Sequence, residues 1–216
     1  MSKKLIDVEI KNRYNGNIIL SGKYESIKDA LEKNSGTDLR GCDLSGSNLR
    51  YSSLRGCNLR YSDLRGCDLS DSDLRYSSLR GCNLRYSDLR YSDLSDSDLR
   101  GCNLTGSKLS DSNLRYSDLT GSKLSDSDLR YSDLRGCNLR GCNLDFSCMP
   151  LWCGDLEANY DDKQIIQQLY HVLSHVINSN NCSKTLKRQL LTIGNLKVAN
   201  KFHRIGECDK LKSSAK

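Results

Sequence analysis

From Leu39 to Leu144 a leucine stands at every fifth position without exception, 22 in all, and Met149 takes the next place. The polar positions keep the same beat. Two before each leucine stands a small residue, Ser 14 times, Cys 7 times and Thr once; two after it stand Gly 10 times, Tyr 7, Asp 4 and Phe once. Asp or Asn usually precedes the leucine, and Arg or Ser follows it. On an α-helix each fifth residue turns about 140° beyond a full turn, so the leucines would spiral over all sides and form no stripe. On a straight strand five is odd, and successive leucines would point to opposite faces. The chain must therefore bend once per unit, near the residue two after the leucine, where Gly and Asp tolerate unusual backbone angles. Every leucine then returns to the inside.

A single unit cannot hold that shape. Burying one leucine contributes roughly 1.5 to 3 kcal/mol, whereas ordering five backbones costs about 5 to 10 kcal/mol. Coils laid on one another at β spacing add backbone hydrogen bonds and continuous leucine columns, so each depends on its neighbours. The pattern predicts an all-β parallel solenoid.

CDLSG, SNLRY, CNLRY and SDLRG resemble the repeating unit of pentapeptide repeat proteins, and the resemblance covers residues 37 to 149. It implies a right-handed quadrilateral parallel β-helix with four units per coil. One departure is that the small inward site never holds Ala; Ser and Cys fill it, and the buried serine hydroxyls must find backbone carbonyls.

The flanks break the rhythm. LIDVEIKNRY and NIILSGKY surround Asn15-Gly16, a hairpin signal, and Ser26 to Asp29 reads as a capping box opening a short helix with Ile27, Ala30 and Leu31 on one side. Residues 1–36 thus form a small α/β unit suited to covering the first coil, which would otherwise expose unpaired backbone. After Pro150, residues 150–216 read as an α-helical domain with a basic end. Asp161 is placed to cap a helix with Ile165, Ile166, Leu169, Val172, Leu173, Val176 and Ile177 on one face. Ser183 starts a second, with Leu186 and Leu190 inside. A third carries Leu196, Ala199, Phe202 and Ile205. Hairpin, repeats and helical tail together resemble bacterial and phage-encoded pentapeptide proteins.

Charge sharpens the picture. Residues 37–149 carry 16 Lys+Arg against 16 Asp, so the formal net charge of +6 lies in the ends. No apolar run approaches a membrane span, and the opening MSKKLIDVEIKN has no apolar leader core. Seven of the 11 Cys occupy the inward site, which fits packing thiols in a reducing cytoplasm better than a disulfide framework.

Candidate chemistry is sparse. Cys148, Cys153, His171, His175, Cys182, His203 and Cys208 form a Cys/His set in the tail, and His171 and His175 share a helix side as zinc ligands do. The scattered spacing favours a structural tail without metal or cofactor, and a zinc-binding tail engaging nucleic acid is the alternative it leaves. Nucleophilic catalysis has no support, because the repeat Ser and Cys point inward and no His precedes His171. With four units per coil, Arg40, Arg60, Arg80 and Arg100 stack in one outward row beside Asp38, Asp98 and Asp118. Tyr51, Asp71, Tyr91, Asp111 and Tyr131 share one corner. The segment 51–75 returns at 76–100 with two changes, a slippage of 25 residues that keeps the core and moves each outward motif to the next side.

These features predict a non-catalytic, cytoplasmic scaffold with an unidentified protein partner and no small-molecule substrate, nucleic acid or membrane, as a monomer or a homodimer through a solenoid end. The resemblance implies one alternative. Family members that protect DNA gyrase look like DNA, as negatively charged rods often carrying a loop. This neutral, unbroken barrel departs from them.

Overall fold

The computed structural model describes residues 4–149, 158–159, 162–178, 183–192 and 195. The chain divides into two compact units, 1–159 and 160–216.

In the first unit residues pair in parallel with those 20 further on, as in Asp43 with Asp63, Asn48 with Asp68, Ser53 with Asp73 and Asn58 with Ser78. Five-residue units and a 20-residue repeat give four sides per coil. The 22 leucines fill the interior, 0 to 5% exposed.

Almost every backbone polar group of a unit has an assigned partner. The leucine N–H donates to the next coil, as Leu89 does to the Lys108 carbonyl at 2.7 Å. The residue before it donates to the previous coil (Asp88 to Cys67, 2.9 Å), and the corner residue to the next (Asp71 to Arg90, 2.9 Å). The small residue closes a β-turn onto the preceding leucine carbonyl (Ser72 to Leu69, 3.3 Å). The fifth N–H, one after the leucine, goes to a side chain. All 18 Asp or Asn residues directly before a leucine accept it through Oδ1, from Arg40 on Asp38 (3.2 Å) to Asp145 on Asn143 (3.0 Å). The acidic or amide residue is therefore part of the turn, an Asx bond that leads the chain into the corner.

The corners carry the strain. All 22 residues two after a leucine have φ between +56° and +70°, and 12 of them are not glycine. The bend was expected at this position, with Gly and Asp the residues suited to unusual angles; seven Tyr and Phe146 adopt the same left-handed angles. Tertiary register overrides local preference, because any other φ would misplace every later leucine.

Most inward hydroxyls and thiols find carbonyls, while Cys42 and Cys137 meet the hydroxyls of Ser62 and Ser117. Ser72, Ser87 and Ser92 donate to the leucine three before them at 2.5–2.7 Å, while Ser62, Cys67 and Cys82 reach a leucine carbonyl of the previous coil at 2.7–2.9 Å. Ser52 and Ser77 are exceptions, with no partner for the hydroxyl.

Ahead of the barrel, β1 (Ile6–Lys11) pairs antiparallel with β2 (Ile18–Tyr24), and α1 spans Ile27–Lys33. The hairpin loop is wider than Asn15-Gly16 alone. The Asn12 Oδ1 accepts the Tyr14 and Asn15 N–H groups, and the Asn12 N–H bonds across to Asn17. Ser26 caps α1 through the Asp29 N–H, as expected, while Asp29 returns a carboxylate bond to Glu25 rather than Ser26. This segment meets the first coil at two otherwise unpaired donors: Asp43 N–H bonds the Lys11 carbonyl and Ser53 N–H the Glu32 carboxylate, both at 2.8 Å.

In the second unit, α2 covers Asp162–Asn178 and α3 covers Lys184–Leu190. Tyr170, Leu173 and Leu191 form its core, flanked by Leu169, Val176, Ile177 and Leu190. Ile165 and Val172, expected inside, are each 53% exposed, and Tyr170 is buried instead. At 100° per residue Ile165 and Val172 lie about 80 to 100° round the helix from Leu173, at the edge of the apolar arc. The side chains of His171, His175 and Leu186, the Asp161 cap and the expected third helix lie outside the described residues. No helix among them is long and apolar enough to cross a membrane.

Candidate protein-binding surface

The outer surface is built from the two positions flanking each leucine and from the corner. Asp-Leu-Arg occurs seven times, and in each the Arg turns back on the Asp two before it. Arg40, Arg65, Arg75, Arg90, Arg100, Arg130 and Arg135 meet Asp38, Asp63, Asp73, Asp88, Asp98, Asp128 and Asp133 at 2.5–2.8 Å. Where Asn replaces Asp the clamp cannot form. In the four Asn-Leu-Arg-Tyr units, Arg50, Arg60, Arg85 and Arg115 lie instead over the next residue, Tyr51, Tyr61, Tyr86 or Tyr116, with the guanidinium carbon 4.6–5.6 Å from the ring centre. One atom of difference, carboxylate or amide, sets whether the arginine closes on the acid of its own unit or lies over the next ring.

The arginine hydrogen bonds hold the carboxyls of Asp73, Asp88, Asp98, Asp128 and Asp133 below the ordinary value of 3.8. Burial pushes Asp63 upward, but Arg65 and Arg13 outweigh it. Inside, burial pushes the Cys42 thiol up to about 11 and those of Cys67, Cys82 and Cys137 to about 12. The seven inward cysteines are buried. Raised, hydrogen-bonded thiols of this kind are poor nucleophiles.

The tyrosines stand on the corners, 43 to 69% exposed. Tyr51, Asp71, Tyr91, Asp111 and Tyr131 do share one edge, with the rings two coils or about 9–10 Å apart. Arg50 reaches Asp71 at 3.2 Å on that edge. Other rings lie along their own edge and cover a glycine of the next coil. A Cβ built on Gly81, Gly106 or Gly136 would come within 2.4–2.6 Å of Tyr61, Tyr86 or Tyr116.

Arg40, Arg60, Arg80 and Arg100 also form the expected row, each 20 residues from the next. Asp38 holds Arg40, and Asp98 with Asp118 (3.8 Å) holds Arg100. Near its start, Asn12, Tyr14, Ile19, Gly41, Arg60 and Tyr61, with the clamped Asp38–Arg40 pair, line a shallow open cleft between the hairpin loop and the first coils.

Of the tail Cys/His set, Cys148 is exposed and pairs through its backbone with Asp128. His171 and His175 lie on α2, and Cys153, Cys182, His203 and Cys208 lie outside the described residues. Among the described residues no three His, Cys, Asp or Glu side chains gather as metal ligands would.

A leucine-filled tube with four five-residue sides per turn and an Asx bond at almost every side defines a quadrilateral β-solenoid, a class built to present surface. The chain belongs to the pentapeptide repeat family: that family's pattern matches residues 37–75, 67–106, 77–115 and 107–145, with eight copies. Proteins of this family form right-handed quadrilateral β-helices. No curated protein sequence matches the chain. Among solved structures it is similar to the pentapeptide repeat protein Rfr23 from the cyanobacterium Cyanothece 51142, at 24% identity over 56% of this chain and 86% of that one, TM-score 0.39. It is also similar to HetL from Nostoc sp. strain PCC 7120, involved in heterocyst differentiation regulation, at 27% identity over 55% and 65%, TM-score 0.32. A third is QnrB1, a plasmid-mediated fluoroquinolone resistance protein, at 20% identity over 62% and 84%, TM-score 0.27.

Proposed function

We propose that the chain is a non-catalytic scaffold of the cytoplasm that binds a protein partner through the tyrosine-bearing edges of its barrel. The observation that carries this reading is the placement of seven tyrosines at strained corners, each exposed and several backed by arginine. Tyr and Arg are the residues that anchor protein interfaces, and a ring fixed on a rigid edge loses little entropy on binding. Most inward hydroxyls and thiols are buried and tied to backbone carbonyls, which supports the non-catalytic part. The Asp-Leu-Arg clamps neutralise seven of the 16 barrel aspartates locally, and the 16 Lys+Arg balance the rest, which speaks against a rod that imitates DNA. The hairpin and α1 serve as the cap of the first coil.

The test is quantitative capture from a lysate of the source cells, comparing the full chain with a Tyr51→Ser, Tyr91→Ser, Tyr131→Ser variant. At least one protein held by the parent is lost from the variant. Identical captured sets would sink the reading.

A further inference from the structure

The arginine row has a gap in its neutralisation. Asn58 and Ser78 precede Leu59 and Leu79, so Arg60 and Arg80 have no carboxylate on their own units. Among the described residues neither makes an ion pair or a side-chain hydrogen bond to one. Arg60 rests over Tyr61 at 5.6 Å, and its Nε–H is shut from solvent without an acceptor. Arg80 is exposed, one coil or about 4.8 Å further along. Two adjacent guanidinium groups therefore stand without a direct carboxylate bond between the clamped Arg40 and Arg100, although the charge of Arg80 reaches Asp98 of the next coil and helps hold its carboxyl down.

Beside them the N-terminal loop completes the cleft. Arg13 N–H bonds the Gly41 carbonyl at 2.7 Å, and the Tyr14 hydroxyl donates to the Tyr61 carbonyl at 3.2 Å, so the loop is pinned to the first two coils. A side chain at Gly41 between them would crowd the loop, since a Cβ there would lie 3.1 Å from the Asn12 amide nitrogen and 3.2 Å from the Tyr14 ring. The Asn12 amide oxygen is used by the loop, which leaves its N–H2 as a donor at the cleft. Tyr14, Ile19 and Tyr61 supply apolar wall.

We propose that the cleft and the Arg60–Arg80 pair form a subsite for an acidic peptide segment of a protein partner, one carboxylate taken by the guanidinium groups and an adjacent apolar side chain laid against Tyr14, Ile19 and Tyr61. This rests on the scaffold reading and names the chemistry its partner must carry. Planar guanidinium groups recognise carboxylate with charge-assisted bonds. A polyphosphate chain fits less well, because it has no apolar part to lay against Tyr14, Ile19 and Tyr61.

The test is calorimetric titration of the full-length protein with an end-blocked hexapeptide alternating Glu and Phe, its Gln counterpart, and a 20-base-pair DNA duplex. The Glu peptide binds at least about tenfold tighter than the Gln peptide, and Arg60→Gln or Arg80→Gln removes about tenfold of that affinity. Arg130→Gln, an equal change of charge at a clamped site on another side, leaves it unchanged. Arg80→Gln alters an exposed side chain only and reports even where Arg60→Gln disturbs packing. Equal affinity for both peptides, no saturable binding, tighter binding of the duplex, or parental affinity in both variants would overturn the assignment. The Tyr51, Tyr91, Tyr131 variant binds the peptide as the parent does, so failure of the capture experiment and failure of this subsite are told apart.

Discussion

Two glycines on one edge, a single coil apart, separate backbone strain from packing. Gly81 and Gly101 have nearly the same φ, +68° and +65°, but a Cβ on Gly101 would meet nothing within 4 Å, while one on Gly81 would lie 2.6 Å from the Tyr61 ring. Alanine at either site pays the left-handed backbone penalty, roughly 1–2 kcal/mol. At Gly81 the ring must also swing away, giving up its contact with Arg60 and its cover of the corner, which adds about 1–2 kcal/mol. We expect Gly101→Ala to cost about 1–2 kcal/mol and Gly81→Ala about 2–4 kcal/mol in urea unfolding followed by far-UV circular dichroism. Made in a Tyr61→Ser background, Gly81→Ala falls back to the cost of Gly101→Ala, a coupling of at least about 1 kcal/mol in the cycle. Equal costs for the two glycines, or no change of cost on removing the ring, would refute the view that corner tyrosines pack on the next coil's glycine.

Asn83→Asp draws Arg85 off Tyr86 onto its own unit; the upfield ring shift of the Arg85 δ protons is lost in NMR, and stability changes by less than about 1 kcal/mol. Because the clamped Asp carboxyls titrate below 3.8 in the folded chain, their contribution is complete above that value and lost as pH falls through the folded pKa values. Barrel stability is therefore flat from pH 5 upward (about neutral included) in this respect and drops below about pH 4, a drop that Asp73→Asn, Asp88→Asn and Asp133→Asn together make shallower. With iodoacetamide at neutral pH, Cys148 labels in the native chain, while the seven barrel cysteines label only after unfolding, as peptide mass spectrometry will show.

The solenoid could be read from the text because a five-residue leucine period leaves a chain few ways to bury one side. The four-sided coil came from family resemblance, since period and patterning alone say that a bend occurs and not how many close the ring. The Asx bond went unread although its signal was in plain sight: Asp or Asn stands before 18 of 22 leucines, always two residues ahead of a backbone N–H that the corner would otherwise strand. Tyrosine at the corners was harder. Its intrinsic preference is against positive φ, and the register of the whole tube decides the angle. The arginine row was visible from spacing once a 20-residue coil was assumed, but the contrast between clamped Arg40 and unpaired Arg60 turns on Asp38 against Asn58, which needs the Asp-Leu-Arg geometry to interpret. On α2 the apolar pattern was wider than the buried arc, and Tyr170 outcompeted Val172 because it lies nearer the arc's centre.

Through-hydrogen-bond scalar couplings in NMR test the central claim most directly, since they name donor and acceptor without reference to shape. From Leu44 to Leu129 the leucine N–H groups should couple to carbonyls 19 residues ahead, Leu89 to Lys108 and Leu94 to Asn113 among them. Couplings to carbonyls four residues behind, or to acceptors at any other regular separation, would contradict a tube that closes every four units.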